Sequence, residues 1–422
     1  MKLHEMMVSK SYASGGWDRP GQLRQLLPAD AYTSKEWYER EQRELFAQTW
    51  AFAGMAEDVK APGDYKCVDV GTAALVLMRD RQNALRAFHN MCRHRGSRLL
   101  DGSGTIKGDS LVCFYHKWAY SLAKNLQLSG VPMQRELFPD LDMASIRLLP
   151  AKVAAWKNLV FLHPDPEAEP LEAWLADIPD KLGPFEAGQT ALHEPEQLVE
   201  ASDVVYRVRS NWKILVENFI DGYHLPLLHA GPLNRGDFPG QRWRPAGRHQ
   251  AFYRPLKAEA TEEDAYVGQY GDLPWPVIEG VPARYGASYQ WLFPNLALFQ
   301  TATSWSTFHV IPVAPDESLV HSRVRAVATD RMPPEQMLDP AELPDFIISA
   351  KGRSLGPSER RSNASRLHPL ESGDVMREDI FACESIQQSM RSSRFAVGPL
   401  SRWEAPLTFF QQQILEFVPL KS

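Results

Sequence analysis

The sequence predicts an α+β protein, with a small N-terminal antiparallel β-domain followed by a larger, differently patterned region of helices and paired strands. Three observations carry this. Short period-two runs at 65–70, 73–78 and 84–89 are separated by the turn residues Gly71-Thr72 and Arg81-Gln82-Asn83, the signature of small antiparallel sheets. Apolar residues return at helical spacing behind capping residues near 34 and 210, as amphipathic helices require. Beyond those helices, 285–312 reads as paired strands rich in aromatic residues. The 422 residues suffice for two or three domains at about 150 each, and 44% hydrophobic with 23% charged residues is ordinary for a soluble protein.

In chain order, the first seventeen residues scatter Lys2, His4, Glu5 and Lys10 and hold no continuous apolar run, so no signal peptide is expected. No uninterrupted apolar stretch of about 18 residues suggests a membrane span. Residues 34–50 read as a helix with Ser34 at its N-cap and Trp37, Leu45, Phe46 and Trp50 near helical spacing. After the β runs, 154–162 is expected as the last strand of the first domain, closed by Pro164 and Pro166, and 171–182 as a helix. This divides the chain into an N-terminal helical segment, 1–47, packing on the C-terminal domain; a β-domain, 48–164; and a C-terminal domain, 165–422. The Pro- and charge-rich stretch 330–374 is expected to cross the surface and to include a lid.

Net charge is -6, from 46 basic and 52 acidic residues that are interspersed, so no electrostatic footprint for nucleic acid stands out. The four cysteines, Cys67, Cys92, Cys113 and Cys383, make no disulfide framework. A reducing cytoplasm is therefore expected, with Cys67 and Cys383 as small buried residues.

Cys92-Arg93-His94 and Cys113-Phe114-Tyr115-His116 contribute one thiolate and one imidazole from each of two short loops. That order suits a Rieske two-iron, two-sulfur cluster, in which thiolates hold one iron, while imidazoles on the other raise the reduction potential. A structural zinc site is the competing reading, since zinc also takes two sulfurs and two nitrogens. Ligand order argues against it, because zinc modules usually present a Cys pair and then a His pair. Gly96 and the aromatic residues Trp118 and Tyr120 flank the ligands and could shield the sulfurs.

A second constellation lies in 210–229. Ser210 or Asn211 can cap a helix with the stripe Trp212, Leu215, Val216, Phe219, Ile220 and Tyr223. On the other face Glu217, Asp221 and His224 stand at i, i+4 and i+7. His229 would point elsewhere on a straight helix, and Pro226 supplies a break that lets both imidazoles meet one metal. Two histidines and one carboxylate form the facial triad of non-haem iron(II). The carboxylate is expected on a helix read over 374–387, where geometry does not choose among Asp374, Glu378, Asp379 and Glu384. Taken alone, His224 and His229 could equally be helix-end histidines satisfied by carbonyls, with Asp221 bonding one of them.

With C-x-H and C-x-x-H followed by N-W-K, E-x-x-x-D-x-x-H-x-x-x-x-H and D-x-x-x-x-E-x-x-Q, the chain resembles the large (alpha) subunit of Rieske non-haem iron ring-hydroxylating oxygenases over about residues 50–387. The resemblance implies that Cys92 and Cys113 hold one cluster iron, His94 and His116 the other, and His224, His229 and Asp379 a mononuclear iron. It implies a helix-grip catalytic domain, a head-to-tail trimer with or without a beta subunit, and Asp221 joining His224 to the partner subunit's His116. Electrons would come from NAD(P)H through a separate reductase, with or without a ferredoxin, since the chain has no nucleotide-binding fingerprint. The second cluster loop departs from the family's C-P-Y-H-G-W, with Phe114 in place of proline and Lys117 in place of glycine. The loop between His94 and Cys113 is also a residue longer than the commonest form.

For substrate, the resemblance implies O2-dependent hydroxylation or dihydroxylation of an aromatic compound. An aromatic carboxylate would find its counter-ion in Arg or Lys near the pocket. The alternatives are oxidation of a quaternary ammonium compound held by cation–π attraction, or a Rieske electron carrier with an empty mononuclear site. Trp291, Phe299 and Trp305 are candidate pocket residues on the 285–312 strands. His89, His163, His193, His249, His309, His321 and His368 have no partner at metal-like spacing and are expected to be surface or hydrogen-bonded residues.

Overall fold

The computed structural model describes residues 23–176, 178, 198–229, 233, 235–261, 269–270, 273–282, 285–355, 359 and 367–421. The chain forms two compact units, Arg40–Trp174 and Met1–Glu39 with Leu175–Ser422. Among the described residues no helix is long and apolar enough to cross a membrane. The expectations for the N-terminal leader and for His193 lie outside the described residues.

In the smaller unit, strands β1 (Ala51–Met55), β2 (Asp64–Val70), β3 (Ala73–Arg79), β4 (Leu85–His89), β5 (Ser103–Thr105), β9 (Pro150–Trp156) and β10 (Leu159–His163) form one antiparallel sheet in the order β1-β10-β9-β4-β3-β2-β5. A second sheet joins β6 (Ser110–Val112), β7 (Ala119–Ser121) and β8 (Gln127–Gly130). The apolar run of β3 follows from burial on both faces: Leu75 and Leu77 enter one core with Val160 and Leu162, while Val76 and Met78 enter another with Phe88 and Tyr120. That second core also encloses Cys92 and Cys113.

Two expectations need correcting. The single strand foreseen at 154–162 is a hairpin, because Lys157, at φ 54°, and Asn158 turn the chain between Trp156 and Leu159. The helix foreseen at 34–50 starts as expected, with Ser34 Oγ accepting from the Trp37 amide at 3.3 Å. After α1 (Asp30–Thr33) and α2 (Lys35–Arg40), however, it widens into a π-turn at Glu41–Leu45 and then tightens into a 3-10 turn at Phe46–Gln48. The smaller unit holds the short helix α3 (Gln134–Leu137) and ends within α4 (Leu171–Leu175), the described helical part of the helix expected over 171–182.

The larger unit is built on a nine-stranded antiparallel sheet in the order β12-β13-β16-β17-β18-β19-β11-β21-β20. Its strands are β11 (Val199–Val208), β12 (Arg242–Ala246), β13 (His249–Arg254), β16 (Ala287–Leu292), β17 (Leu296–Gln300), β18 (Ser304–Ala314), β19 (Glu317–Ala326), β20 (Gln336–Met337) and β21 (Ile347–Gly352), with a separate hairpin of β14 (Gln269–Tyr270) and β15 (Leu273–Pro274). The stretch expected only to cross the surface thus contributes β20 and β21 to the sheet, and 356–358 and 360–366 of the expected lid lie outside the described residues. Helices α5 (Trp212–Ile220), α6 (Leu225–Leu228), α7 (Val375–Met390) and α8 (Ala405–Phe417) complete the unit.

Helix α5 packs against β18, α7 and α8. Phe219 stacks on Phe308 at 5.1 Å between ring centroids, and Trp212 meets Phe410 edge-on at 5.8 Å. Trp212 and Phe410 are buried, and truncating such a ring to alanine costs about 3–5 kcal/mol, so this contact holds α5 against α8, while the half-buried Phe219–Phe308 pair joins α5 to β18. The expected stripe ends early: Tyr223 is half exposed, because α5 stops at Ile220.

Candidate metal centres

In the smaller unit the two Cys/His loops are built alike. The Cys92 carbonyl accepts from the Gly96 amide at 2.9 Å, and the Cys113 carbonyl accepts from the Lys117 amide at 3.0 Å. Each turn closes through a left-handed residue, Gly96 at φ 72° and Lys117 at φ 57°. Lys117 therefore occupies a conformation that glycine adopts without strain. The tips bring the imidazoles of His94 and His116 to 4.6 Å between ring centroids, and His94 stacks on Trp118 at 4.7 Å.

The thiols of Cys92 and Cys113 are buried and in no disulfide. Tyr120 Oη lies 3.2 Å from Cys92 Sγ and accepts from the Arg93 amide at 2.9 Å. Nδ1 of His94 is buried without a hydrogen-bond partner. Burial, then the neighbouring His116 and Arg95, lower the pKa of His94, which favours the neutral imidazole that binds metal. Two thiols and two imidazoles, one of them with an orphaned buried nitrogen, fit a Rieske cluster. Phe114 and Tyr115 stand exposed at the loop tip.

In the larger unit, α5 begins at Asn211, whose side chain accepts from the Lys213 amide at 3.0 Å while its own amide donates to Gln387 Oε1 at 2.7 Å. The Arg209 amide donates to Glu384 at 2.9 Å. The Glu and Gln that follow Asp379 in the sequence motif thus clamp α7 to the start of α5. Asp374 caps α7 by accepting from the Arg377 amide at 3.0 Å. Of the four downstream acids, Asp379 is the one that faces the Nε2 atoms of both histidines. His224 Nε2 and His229 Nε2 lie 3.6 and 3.0 Å from Asp379 Oδ1, and one ligand atom from each of the three side chains falls within 4.8 Å of the others.

The outer nitrogens of both rings are also held. Asp221 Oδ2 lies 2.9 Å from His224 Nδ1, and Glu378 Oε2 lies 2.6 Å from His229 Nδ1. Such carboxylate partners fix tautomer and ring orientation, so that both Nε2 atoms face one point. Burial opposes charge on His229, but the hydrogen bonds and charges of Asp379 and Glu378 outweigh it and raise its pKa. Asn218 Nδ2 donates to Asp379 Oδ1 at 3.2 Å. The donor set fits one octahedral metal with open positions.

Glu217 does not share a face with this group. It turns into the interior, where Tyr32 Oη donates to it at 2.6 Å and Gln411 at 2.8 Å. Asp221 and His224 meet only because the chain leaves the helix at Ile220 and re-enters a short one, α6, with Pro226 in its first turn. Reasoning from sequence missed Asn218 and the role of Glu378. The signal was present: adjacent residues on a helix point about 100° apart, so Glu378 and Asp379 cannot serve the same atom. The remaining described histidines make ordinary bonds, such as His321 to Asp203 at 2.8 Å and His249 accepting from the Phe293 amide at 3.0 Å.

A cavity of 390 Å³ opens beside His224 and Asp379, with Phe219, Tyr289, Phe299 and Phe308 in its wall. Of the three foreseen pocket residues Phe299 lines it, while Trp291 and Trp305 are fully buried in the core.

Fold and donor sets together define an iron-dependent oxidoreductase with a cluster domain and a mononuclear catalytic domain. Residues 195–419 match the family model of the ring hydroxylating alpha subunit catalytic domain, and residues 49–147 match that of the Rieske [2Fe-2S] domain. The chain belongs to the ring-hydroxylating oxygenase alpha-subunit family. It is the terminal oxygenase component of a Rieske system, using O2 and electrons delivered by a reductase through a 2Fe-2S cluster to a mononuclear iron. It is 28% identical over 325 residues, 70% of each chain, to the glycine betaine monooxygenase oxygenase subunit of Chromohalobacter salexigens. It is 30% identical over 237 residues to the large oxygenase component of the 2,4-dinitrotoluene dioxygenase system of a Burkholderia species, covering 54% of this chain and 47% of that one. The crystal structure of a quaternary ammonium Rieske monooxygenase superposes with a TM-score of 0.68 at 19% identity, covering 95% of this chain and 96% of that one.

Proposed function

We propose that this oxygenase hydroxylates or dihydroxylates a small aromatic compound in the cavity beside His224 and Asp379, with Cys92, His94, Cys113 and His116 holding the cluster and His224, His229 and Asp379 the mononuclear iron. The observation that carries the reading is the convergence of two carboxylate-braced imidazoles and one carboxylate on the edge of an aromatic-walled cavity. When bound, the cluster supplies single electrons and the iron supplies a site for reducing dioxygen. The chain itself does the positioning. Asp221 and Glu378 fix the two rings, Asn218 steadies Asp379, and Phe219 and Phe308 present stacked faces that exclude water and suit a flat substrate.

Oxidation of a betaine-type ammonium compound is the second reading, favoured by the glycine betaine relative at 28% identity and by the spinach choline monooxygenase at 26%. Substrate-stimulated oxygen uptake with a reductase, scored over aromatic and betaine panels, decides between the two. Metal analysis tests the ligand sets: about three irons and two sulfides per chain support both sites, and two of each would reduce the chain to an electron carrier.

The working assembly is a cytoplasmic homotrimer, with or without a beta subunit, in which Asp221 links His224 to the partner subunit's His116. Asp221→Asn should then leave both metals bound and uncouple cluster reduction from turnover. Parent-rate oxidation by that variant would dismiss the bridge.

A further inference from the structure

The cavity wall contains one feature that an apolar ring does not explain. Arg254, the last residue of β13, lines the cavity although it is 9% exposed. Its stem runs beside Gly236, where a Cβ would stand 2.8 Å from Arg254 Cδ, and its guanidinium carbon lies 5.2 Å from the centroid of the Phe238 ring. Among the described residues no carboxylate or carbonyl accepts from it. The other arginines buried as deeply each have an acceptor: Arg323 bonds Glu200, Arg325 donates to the Leu198 carbonyl, and Arg377 donates to the Leu367 carbonyl.

A guanidinium withdrawn from water without an acceptor is costly, and proteins keep one where a ligand completes it. Burial lowers the pKa of Arg254, yet a guanidinium stays protonated at any working pH. The charge balance of the cavity agrees. Its sole described acid is Asp379, already turned toward the two histidines.

We infer that Arg254 is the counter-ion for a carboxylate on the substrate, so that the compound oxidised is an organic acid whose apolar body lies between this anchor and the His224–Asp379 edge. The fork of a guanidinium matches a carboxylate with two parallel hydrogen bonds. An uncharged isostere would leave the cation unsatisfied and be rejected. The assignment rests on the cavity being the substrate site, and it names an acid group that both substrate readings can carry, on an aromatic ring or on a betaine.

Calorimetric titration of the anaerobic, iron-loaded enzyme tests it with two matched pairs, benzoate against benzamide and glycine betaine against betaine amide. The parent should bind the carboxylate of at least one pair at least about 30-fold more tightly than its amide. Arg254→Met should reduce that ratio to within about 3-fold, with Arg254→Lys retaining part of it because the charge remains but the fork is lost. Should the methionine variant fail to fold, Arg254→Gln carries the same comparison. Preference in the betaine pair alone would retire the aromatic reading and leave Arg254 in its role. Aromatic members bound without charge preference, with no preference in the betaine pair either, would do the reverse. The inference is overturned if neither carboxylate outbinds its amide, or if the preference survives removal of the guanidinium.

Discussion

Glu378 offers a test of how the mononuclear site is held. Its Oε2 sits 2.6 Å from His229 Nδ1, with side-chain exposures of 4% and 0%, so the pair is short, charge-assisted and out of water. Losing such an outer partner typically costs 10- to 100-fold in metal affinity, or about 1.4–2.7 kcal/mol. Glu378→Ala removes both the acceptor and the charge, leaving a fully buried imidazole free to rotate, so the upper end is expected, about 100-fold. Glu378→Gln keeps an acceptor for the ring N–H and loses only the charge, which puts it near 10-fold. Anaerobic titration of iron-depleted protein with iron(II) against a chromophoric chelator reads the affinity, and the cluster absorbance serves as an internal control for folding. If Glu378→Ala binds iron within about 3-fold of the parent, Glu378 merely packs the start of α7, and the bracing of His229 is wrong.

Glu217 makes a pH prediction. Burial, opposed by hydrogen bonds from Tyr32 and Gln411 and by Lys213, pushes its pKa from 4.5 up to about 7. A raised carboxylate is neutral in both states below about 4.5; as pH climbs toward 7 the unfolded chain loses the proton first, and stability falls by an amount on the order of 3 kcal/mol in all. Urea unfolding at pH 5 and at pH 7.5 should show Glu217→Gln gaining on the parent at the higher pH, and an equal difference at both would contradict the burial argument. Lys117 makes a backbone prediction: at φ 57° it carries strain of about 1 kcal/mol that glycine lacks. Lys117→Gly should therefore raise the unfolding midpoint of the smaller unit, whereas Gly96→Ala should lower it, and a loss on Lys117→Gly would count against the strain.

The parts of this molecule that chemistry confines to short spacings were legible in its sequence. A thiol and an imidazole two or three residues apart, given twice, leave few readings. The period-two runs of β2, β3 and β4 likewise appear within a residue or two of their observed ends. Where legibility failed, the deciding interaction was distant along the chain. The apolar period of α5 runs on to Tyr223, and Pro226 is the break that the sequence offers, yet the helix already ends at Ile220, with Asp221 extended at φ -75° and ψ 119°. Glu217 looked like a site residue because helical spacing put it near Asp221, but its partners come from Tyr32 and Gln411, 185 and 194 residues away.

The same distance hid the division of charge that gives the site its character. Asp221, Glu378 and Asp379 come from two stretches about 150 residues apart, and all three turn toward imidazoles. Arg235 and Arg254 come from a third stretch and turn toward the cavity. No local pattern encodes that sorting, since each residue alone reads as an ordinary charge. Once folded, however, it has a direct consequence: the acids are turned to the imidazoles they brace, while Arg254 is left facing the cavity for the ligand. A substrate that brings its own negative charge therefore completes the electrostatics of the larger unit, and an uncharged one does not.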